Sequence, residues 1–222
     1  MKKEENGSVK KRWPTIDVMR QIYEKHLWGG EKADFYSGDG SHLGVIVDPY
    51  IKEVSVFLKS FKKPLVICDV GCGDFNIGRQ LVEFSEKYFA VDIVSALIER
   101  NKIKFKNDKL VFQCLDICND DLPKADCIFV RQVLQHLSNI EIQSFLTQLK
   151  NYTYCIVTEH IPNGHYEPNV DVVTSMGNRL KKKSGVDLMA HPFNFKPIAS
   201  YELLRIVLDD ESCIQTMVYQ NF

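Results

Sequence analysis

The sequence has no long apolar run. None of its segments approaches the ~20 consecutive apolar residues that a membrane-spanning helix needs, in a chain of 222 residues. Residues 1–12 are charged and polar, and no apolar signal segment follows them. We therefore expect residues 1–12 to be a disordered tail and the protein to be cytoplasmic, with no membrane partner.

An excess of either charge sign is also missing. The chain has 28 basic and 29 acidic residues, which leaves a net charge of -1. Such a balance provides no global basic field to attract nucleic acid, so a small-molecule substrate is the better expectation.

The cysteines lack the spacing of a metal or disulfide framework. There are 7 of them, an odd number, and no pair has Cys-x-x-Cys spacing. Most lie in apolar runs that are typical of strands. This usage predicts buried thiols in a reducing compartment.

From Pro64 onward, short apolar runs alternate with amphipathic stretches. The runs predict strands over residues 65–68, 88–91, 110–114, 127–130 and 154–158, and the stretches between them predict helices over residues 77–84, 96–104 and 139–149. Continuous apolar strands separated by helices are typical of a parallel sheet covered on both faces. We expect an α/β fold with a Rossmann-like, doubly wound, mostly parallel sheet.

The two flanking regions differ from this pattern. Residues 16–27 and 43–61 have helical spacing, so we expect an N-terminal helical cap or lid over residues 13–63. The domain proper is expected over residues 64–222, interrupted by a polar insert rich in proline and glycine over residues 159–197. After the insert, a helix is predicted over residues 201–208 and a strand over residues 214–219.

A glycine-rich loop, residues 69–73, follows the first strand and is expected to open a helix. Gly71 and Gly73 let the backbone turn sharply and approach a ligand closely. A dinucleotide fingerprint needs a third glycine sooner than Gly78, and a phosphate would be repelled by Asp69 and Asp74. The loop therefore favours a ligand with an ammonium group and no phosphate, such as the amino-acid end of S-adenosylmethionine.

The next two strands also end in suitable side chains. Asp92 ends the second strand, where a carboxylate can accept both ribose hydroxyls. Asp116 and Ile117 follow the third strand, where an acid can accept the adenine amino proton and an isoleucine can pack on the ring. Asp116 alone is equally consistent with a helix cap or turn residue.

The run from Val66 to His136 resembles the class I S-adenosylmethionine-dependent methyltransferases, bacterial small-molecule type. The similar segments are Asp69-x-Gly71-x-Gly73, Asp92, Asp116-Ile117, Ala125–Val130 and Arg131–Leu137. The resemblance implies S-adenosylmethionine as cofactor, held by Asp69, Gly71, Cys72, Gly73, Asp92, Ile93, Asp116, Ile117 and Arg131. The sequence departs from the family at its end. The family's sheet usually closes with an antiparallel pair of strands, and only residues 214–219 are recognisable.

Two looser resemblances concern the substrate side. Residues 28–30 and 37–41 resemble a segment of bacterial members, some of which accompany carbohydrate-modifying enzymes. Residues 169–171, Arg179 and residues 192–194 resemble an insert in relatives of unassigned substrate.

Methyl transfer to a hydroxyl needs a base, and histidine titrates close to working pH. His136, after the fourth strand, is the first candidate, with a packing or capping role as the alternative. Glu159 and His160 end the fifth strand and are expected to face the same cleft, although they are also compatible with a polar loop start. His165 and Glu167 nearby would allow a metal site, but the Pro/Gly-rich setting fixes no ligand geometry, so no metal is predicted.

The substrate is expected to meet aromatic and basic side chains. Tyr23, Trp28 and Tyr36 could cover the cofactor or stack on a ring, or they could form the core of the cap. Arg179 could receive an anionic substrate.

We expect a methyltransferase for a small molecule, through O-methylation of a sugar or natural-product intermediate. An RNA or protein methyltransferase, an NAD-dependent oxidoreductase and a non-catalytic cofactor-binding module remain alternatives.

Overall fold

The computed structural model describes residues 13–30 and 34–222. The tail expected over residues 1–12 lies outside the described residues. Four helices are α1 (Thr15–Glu24), α2 (Gly44–Lys59), α3 (Ser95–Lys104) and α4 (Asn139–Leu149). Seven strands are β1 (Leu65–Val70), β2 (Ser85–Asp92), β3 (Leu110–Cys114), β4 (Cys127–Arg131), β5 (Tyr154–Pro162), β6 (Ala199–Val207) and β7 (Ser212–Gln220).

The strands form one sheet in the order β3-β2-β1-β4-β5-β7-β6. The first five are parallel, and β7 runs antiparallel to both β5 and β6. This topology confirms the expected α/β fold with a mostly parallel sheet. Because side chains alternate along a strand, β1 directs Ile67 into one core cluster and Cys68 into the other.

Helices cover both faces of the sheet. Helix α2 packs on one face through Tyr50, Val54 and Leu58, while α1 and α4 belong to the core of the other face through Ile22 and Phe145. All five side chains are buried, and each contributes roughly 1.5–3 kcal/mol on a transfer scale. The region over residues 13–63 is therefore divided between the two layers.

The helix predicted over residues 77–84 is wrong. Two short 3₁₀ turns, Gly78–Gln80 and Val82–Phe84, stand in its place. Phe75 has a left-handed φ of 65° and a fully buried ring that packs against Tyr88. The chain after the glycine loop, residues 69–73, therefore turns into the core and does not begin a helix. Strand β2 begins at Ser85.

The helix predicted over residues 201–208 is also wrong. The segment is strand β6, which pairs with β7 and has a register irregularity between Glu202 and Leu204. Pairing with a neighbouring strand outweighs the helix propensity of Glu-Leu-Leu-Arg in this segment. Strands β6 and β7 form the antiparallel pair that the family resemblance implies.

The insert after β5 is mostly irregular and contains one short turn, Arg179–Lys182. Across residues 13–30 and 34–222, no helix is both long and apolar enough to cross a membrane.

Candidate functional site

A cavity of about 570 Å³ lies beyond the carboxyl ends of the parallel strands. This is the edge at which parallel sheets bind ligands, because loops from neighbouring strands separate there. Its walls come from the glycine loop after β1, the ends of β2 and β4, α1 and the start of α2.

The glycine loop has the backbone geometry that only glycine adopts readily. Gly71 and Gly73 have φ values of 68° and 57°, in the left-handed region. A Cβ at Gly71 would collide with Val133, and one at Gly73 would collide with the Ser37 hydroxyl. The amide of Cys72 donates to the Val91 carbonyl across 2.9 Å, which joins the loop to β2.

Asp92 is held in place by the backbone. Its Oδ2 accepts from the Gly73 amide at 3.1 Å, and its Oδ1 accepts from the Val94 amide at 3.0 Å. Burial raises the pKa of Asp92 to about 6, against the opposing effect of these amide donors. Each oxygen keeps a further lone pair, so the carboxylate can still accept from a ligand hydroxyl.

Asp69 also lines the cavity, and its Oδ2 accepts from the Tyr88 hydroxyl at 2.9 Å. Burial raises the pKa of Asp69 to about 7. Asp74 has a different task, because it fastens the N-terminal segment. Its Oδ2 accepts from the Ser37 amide at 2.8 Å and lies 2.6 Å from His42 Nε2.

Asp116 is a turn residue that also lies at the cavity, so its predicted contact with adenine stays a prediction. It lines the cavity, and its Oδ1 also accepts from the Cys118 amide at 2.8 Å, as a turn residue does. Ile93, Leu115 and Ile117 add apolar walls beside it. The predicted cofactor-binding residues thus share one cavity, in a setting suited to a flat ring.

Arg131 supplies the cation of this cavity. Its Nη2 donates to the Gly40 carbonyl at 2.6 Å, and its guanidinium lies 4.8 Å from the Tyr50 ring centroid. Its buried Nε has no partner among the described residues. Four aspartates, namely Asp39, Asp69, Asp92 and Asp116, line the same cavity, so its charge suits a cationic ligand.

His136 lines the cavity and is 9% exposed. Its Nδ1 lies 2.8 Å from the Gly177 carbonyl, which can only accept, so Nδ1 carries the proton and Nε2 the lone pair. The Gln135 side-chain amide lies 3.2 Å from that Nε2. Burial lowers the pKa of His136 to about 4, which keeps the ring neutral at working pH.

The three aromatic residues expected to contact the substrate differ in their positions. Tyr23 and Trp28 line the cavity, and the Trp28 ring centroid lies 5.1 Å from that of His136. Tyr36 does not line it. Its ring stacks on His42 and its hydroxyl donates to Asp39 at 2.6 Å. The expectation that Tyr36 contacts a substrate in the cavity is therefore wrong, because its ring and hydroxyl are engaged by His42 and Asp39.

Glu159 and His160 do not face the same cleft, contrary to expectation. They are successive residues of β5, whose side chains point to opposite faces. His160 lines the cavity, whereas Glu159 is 4% exposed and accepts from the Leu134 and Gln135 amides at 3.1 and 2.8 Å. Burial raises the pKa of Glu159 to about 8. Glu159 is therefore removed from the catalytic set.

Arg179 is not available to an anionic substrate. Its side chain is fully buried, and all three guanidinium nitrogens donate within the protein, mostly to backbone carbonyls. The sequence showed an arginine beside three lysines, and only packing reveals that the arginine alone turns inward. Within the part of the chain that the structure describes, no group of three or more His, Cys, Asp or Glu could hold a metal ion.

Sequence reasoning missed several side chains that shape the cavity. Gln135 bridges two elements, since its Oε1 also accepts from the His160 amide at 2.9 Å. Leu43, Val45 and Leu208 form an exposed apolar rim. Ser37 had a signal, because it begins the Ser-Gly-x-Gly-Ser segment. The rim had none, since its parts are distant in sequence.

Comparisons with known proteins agree with this geometry. Residues 67–153 match the methyltransferase domain family. A methyltransferase of Mycobacterium tuberculosis (strain ATCC 25618 / H37Rv) is 28% identical over 127 residues, which cover 53% of this chain. The match spans 64% of that relative's length, just under two thirds.

Solved structures share the fold. The N-methyltransferase NodS from Bradyrhizobium japonicum WM9, in complex with S-adenosyl-l-homocysteine, has a TM-score of 0.65 at 11% identity, covering 93% of this chain and 100% of that chain. Magnesium protoporphyrin IX methyltransferase from Synechocystis PCC 6803, with bound SAM, has a TM-score of 0.56 at 14% identity, with coverages of 94% and 98%. The N-terminal domain of EvdMO1 with SAH bound has a TM-score of 0.59 at 14% identity, with coverages of 95% and 98%.

Proposed function

Because the chain belongs to the class I S-adenosylmethionine-dependent methyltransferases, we propose that it transfers a methyl group from S-adenosylmethionine to a hydroxyl of a small neutral molecule. The acceptor is a natural-product intermediate or a sugar. The observation that carries the proposal is that Asp69, Asp92 and His136 line one cavity beside the glycine loop.

The residues of the cavity fit the cofactor by their chemistry. Asp92 is prepared to accept the ribose hydroxyls, and Asp69 supplies negative charge for the ammonium group. Ile93, Leu115 and Ile117 offer apolar surface for the adenine ring. When bound, S-adenosylmethionine supplies a methyl group on a sulfonium centre that is already activated for displacement.

The protein's own task is then to exclude water and hold the acceptor in line, which can be worth roughly 7–11 kcal/mol. His136 is the proposed base, because its Nε2 lone pair can take the hydroxyl proton. An acceptor hydroxyl would replace the long contact from the Gln135 amide to this nitrogen. His160, which lines the same cavity, is the proposed second contact for the acceptor.

The rim of the cavity favours an acceptor with an apolar body. Leu43 is 47% exposed, Val45 74% and Leu208 38%, although all three line the cavity. With Arg179 buried, Arg131 is the one lysine or arginine that lines the cavity among the described residues, so a phosphorylated or acidic acceptor is disfavoured. These features favour a natural-product intermediate over a free sugar.

Two further expectations stand as parts of this proposal. The cofactor domain comprises residues 64–222, and the segment over residues 13–63 covers it through α1 and residues 34–46. All seven cysteines are free, which suits a cytoplasmic site of action.

Calorimetry with S-adenosylmethionine, S-adenosylhomocysteine and NAD tests the cofactor. We expect binding of the first two and none of NAD; binding of NAD without S-adenosylhomocysteine would contradict the proposal. The acceptor is tested by transfer of labelled methyl groups to hydroxylated apolar compounds, free sugars and RNA. Transfer to the apolar compounds is expected, while transfer to RNA alone would favour the nucleic-acid alternative.

A further inference from the structure

The turn that carries His136 has its amides captured by a buried carboxylate. Residues 133–137 follow β4 and contain a short 3₁₀ turn, Leu134–His136. Glu159 accepts from the Leu134 amide through Oε1 and from the Gln135 amide through Oε2. Because Glu159 belongs to β5, the turn is fastened to the sheet at these two points.

The carbonyls of the same turn are captured by a buried guanidinium. Nη1 of Arg179 donates to the carbonyls of Leu134 and Gln135 at 3.0 and 3.2 Å, and Nη2 donates to the Leu137 carbonyl at 2.7 Å. Nη2 also donates to Asn139 Oδ1 at 2.9 Å. The planar fork of arginine can serve several acceptors at once, which the ammonium of lysine cannot reproduce.

The insert also contacts His136 directly. The Gly177 carbonyl accepts from His136 Nδ1, and the Ser175 amide donates to the His136 carbonyl at 3.2 Å. The Met176 carbonyl accepts from Trp28 Nε1 at 3.1 Å, and the Trp28 ring lies against His136. Residues 175–179 therefore contact His136, its neighbour Trp28 and the turn to which His136 belongs.

Two buried ionisable side chains on one short turn are costly. Removing a carboxylate or guanidinium from water costs several kcal/mol even after relaxation. A turn that served folding alone could be capped by neutral groups or by water. Here Glu159 binds amides of the turn and Arg179 binds carbonyls of the same turn, and that turn presents His136 to the cavity.

We propose that Arg179 and Glu159 are positioning residues that hold His136 as the Nδ1–H tautomer, with its Nε2 lone pair available to the acceptor. This inference rests on the role of His136 in the proposed function. It also assigns a role to the insert, because residues of the insert hold the base in position. Arg179 and Glu159 are the ionisable groups that hold this turn; Trp28 and Gln135, which pack on the ring, are uncharged.

The test is nitrogen-15 NMR of the His136 imidazole in the whole protein. The wild-type ring is expected to show the Nδ1–H tautomer alone and to stay neutral down to about pH 5, consistent with its lowered pKa. Arg179→Lys is expected to give mixed tautomers and to move the His136 pKa toward its ordinary range by one unit or more. The control Lys181→Ala, an exposed side chain of the Arg179–Lys182 turn, should leave the spectrum unchanged.

A second variant keeps the test decisive. Glu159→Gln keeps the size of the side chain but replaces one acceptor oxygen with an NH2 donor, which would face a backbone amide donor. The same change in the His136 spectrum is therefore expected. If neither variant folds, hydrogen exchange of the Leu134 and Gln135 amides in the wild-type protein tests the proposal. Exchange as slow as that of β4 supports the proposal; exchange as fast as that of exposed loops overturns it.

A folded Arg179→Lys or Glu159→Gln protein with the wild-type His136 spectrum would also overturn the proposal. Calorimetry with S-adenosylhomocysteine separates this outcome from a failure of the proposed function. Affinity within threefold of wild type is expected in both variants, because Asp92 and the glycine loop are untouched. Absence of cofactor binding in the wild type would reject the function while leaving the spectral result to stand.

Discussion

Asp69 and Asp92 are buried carboxylates that face a cavity of predominantly negative lining. Burial disfavours the charged form and raises the pKa of Asp69 to about 7 and that of Asp92 to about 6. Arg131 partly offsets this effect at Asp69. The ammonium group of a bound ligand stabilises the ionised form of a nearby carboxylate, so binding is coupled to the loss of protons.

We therefore expect the affinity for S-adenosylhomocysteine to depend on pH. Below the raised pKa values the carboxyl groups are protonated in the free protein and a proton must leave on binding. Affinity should rise as pH increases from about 5 to 7, by up to about tenfold per unit for each proton released, and level off above. Calorimetry at pH 5.5, 6.5 and 8 measures this. Asp69→Asn should weaken binding at pH 8 and flatten the profile; an unchanged profile would exclude Asp69 as the coupled group.

At the scale of elements, one short segment closes the cavity. Residues 34–42 are held on the glycine loop by Asp74, through the Ser37 amide and His42. The Ser37 hydroxyl completes the junction by accepting from the Asp74 amide at 2.8 Å. Arg100 of α3 adds an ion pair to Asp34.

Asp74→Ala should loosen this segment while the sheet remains intact. The variant removes the acceptor for the Ser37 amide, and a hydrogen bond to a charged group is worth roughly 1.5–3 kcal/mol. Hydrogen exchange of residues 34–42 should accelerate about tenfold or more, with the amides of β1 and β4 unchanged. Asp48→Ala, an exposed acid on α2, is the matched control. Equal acceleration in β1 would show global destabilisation instead of a local junction.

Contacts between elements explain why the two helix predictions, over residues 77–84 and 201–208, are wrong. Local propensity favours a helix over residues 201–208, but β7 pairs with most of that segment. Residues 77–84 follow a left-handed Phe75 whose ring fills a gap among aromatic side chains. Both outcomes depend on partners outside the segment itself.

At the scale of the whole molecule, a neutral buried histidine in the cavity wall makes the stability of the fold depend on pH. Burial lowers the pKa of His136 to about 4, so the unfolded chain binds this proton more readily than the folded protein does. The stability that this group contributes is present above its ordinary pKa of about 6.5 and is lost as pH falls through about 4.

Urea unfolding at pH 7 and pH 4.5 should therefore show a specific acid-sensitive component. Between pH 7 and pH 4.5, we expect the free energy of unfolding of the wild-type protein to fall by roughly 2–3 kcal/mol more than that of His136→Gln. The variant has no imidazole at this position to bind a proton. Parallel losses in the two proteins would mean that His136 titrates normally in the folded state.

Much of the cofactor side was determined by the sequence alone. The glycines at 71 and 73, the aspartates at the ends of β1 and β2 and the apolar strand pattern are local features, and each lies next to the backbone geometry that it requires. Only the tertiary structure decided the side that we propose for the acceptor. The alternation along β5 sends His160 to the cavity and Glu159 behind it. Packing of the insert buries Arg179 against the turn of His136. These placements depend on contacts between residues some 25 to 45 positions apart, and the pattern of neighbouring residues carries no record of such contacts.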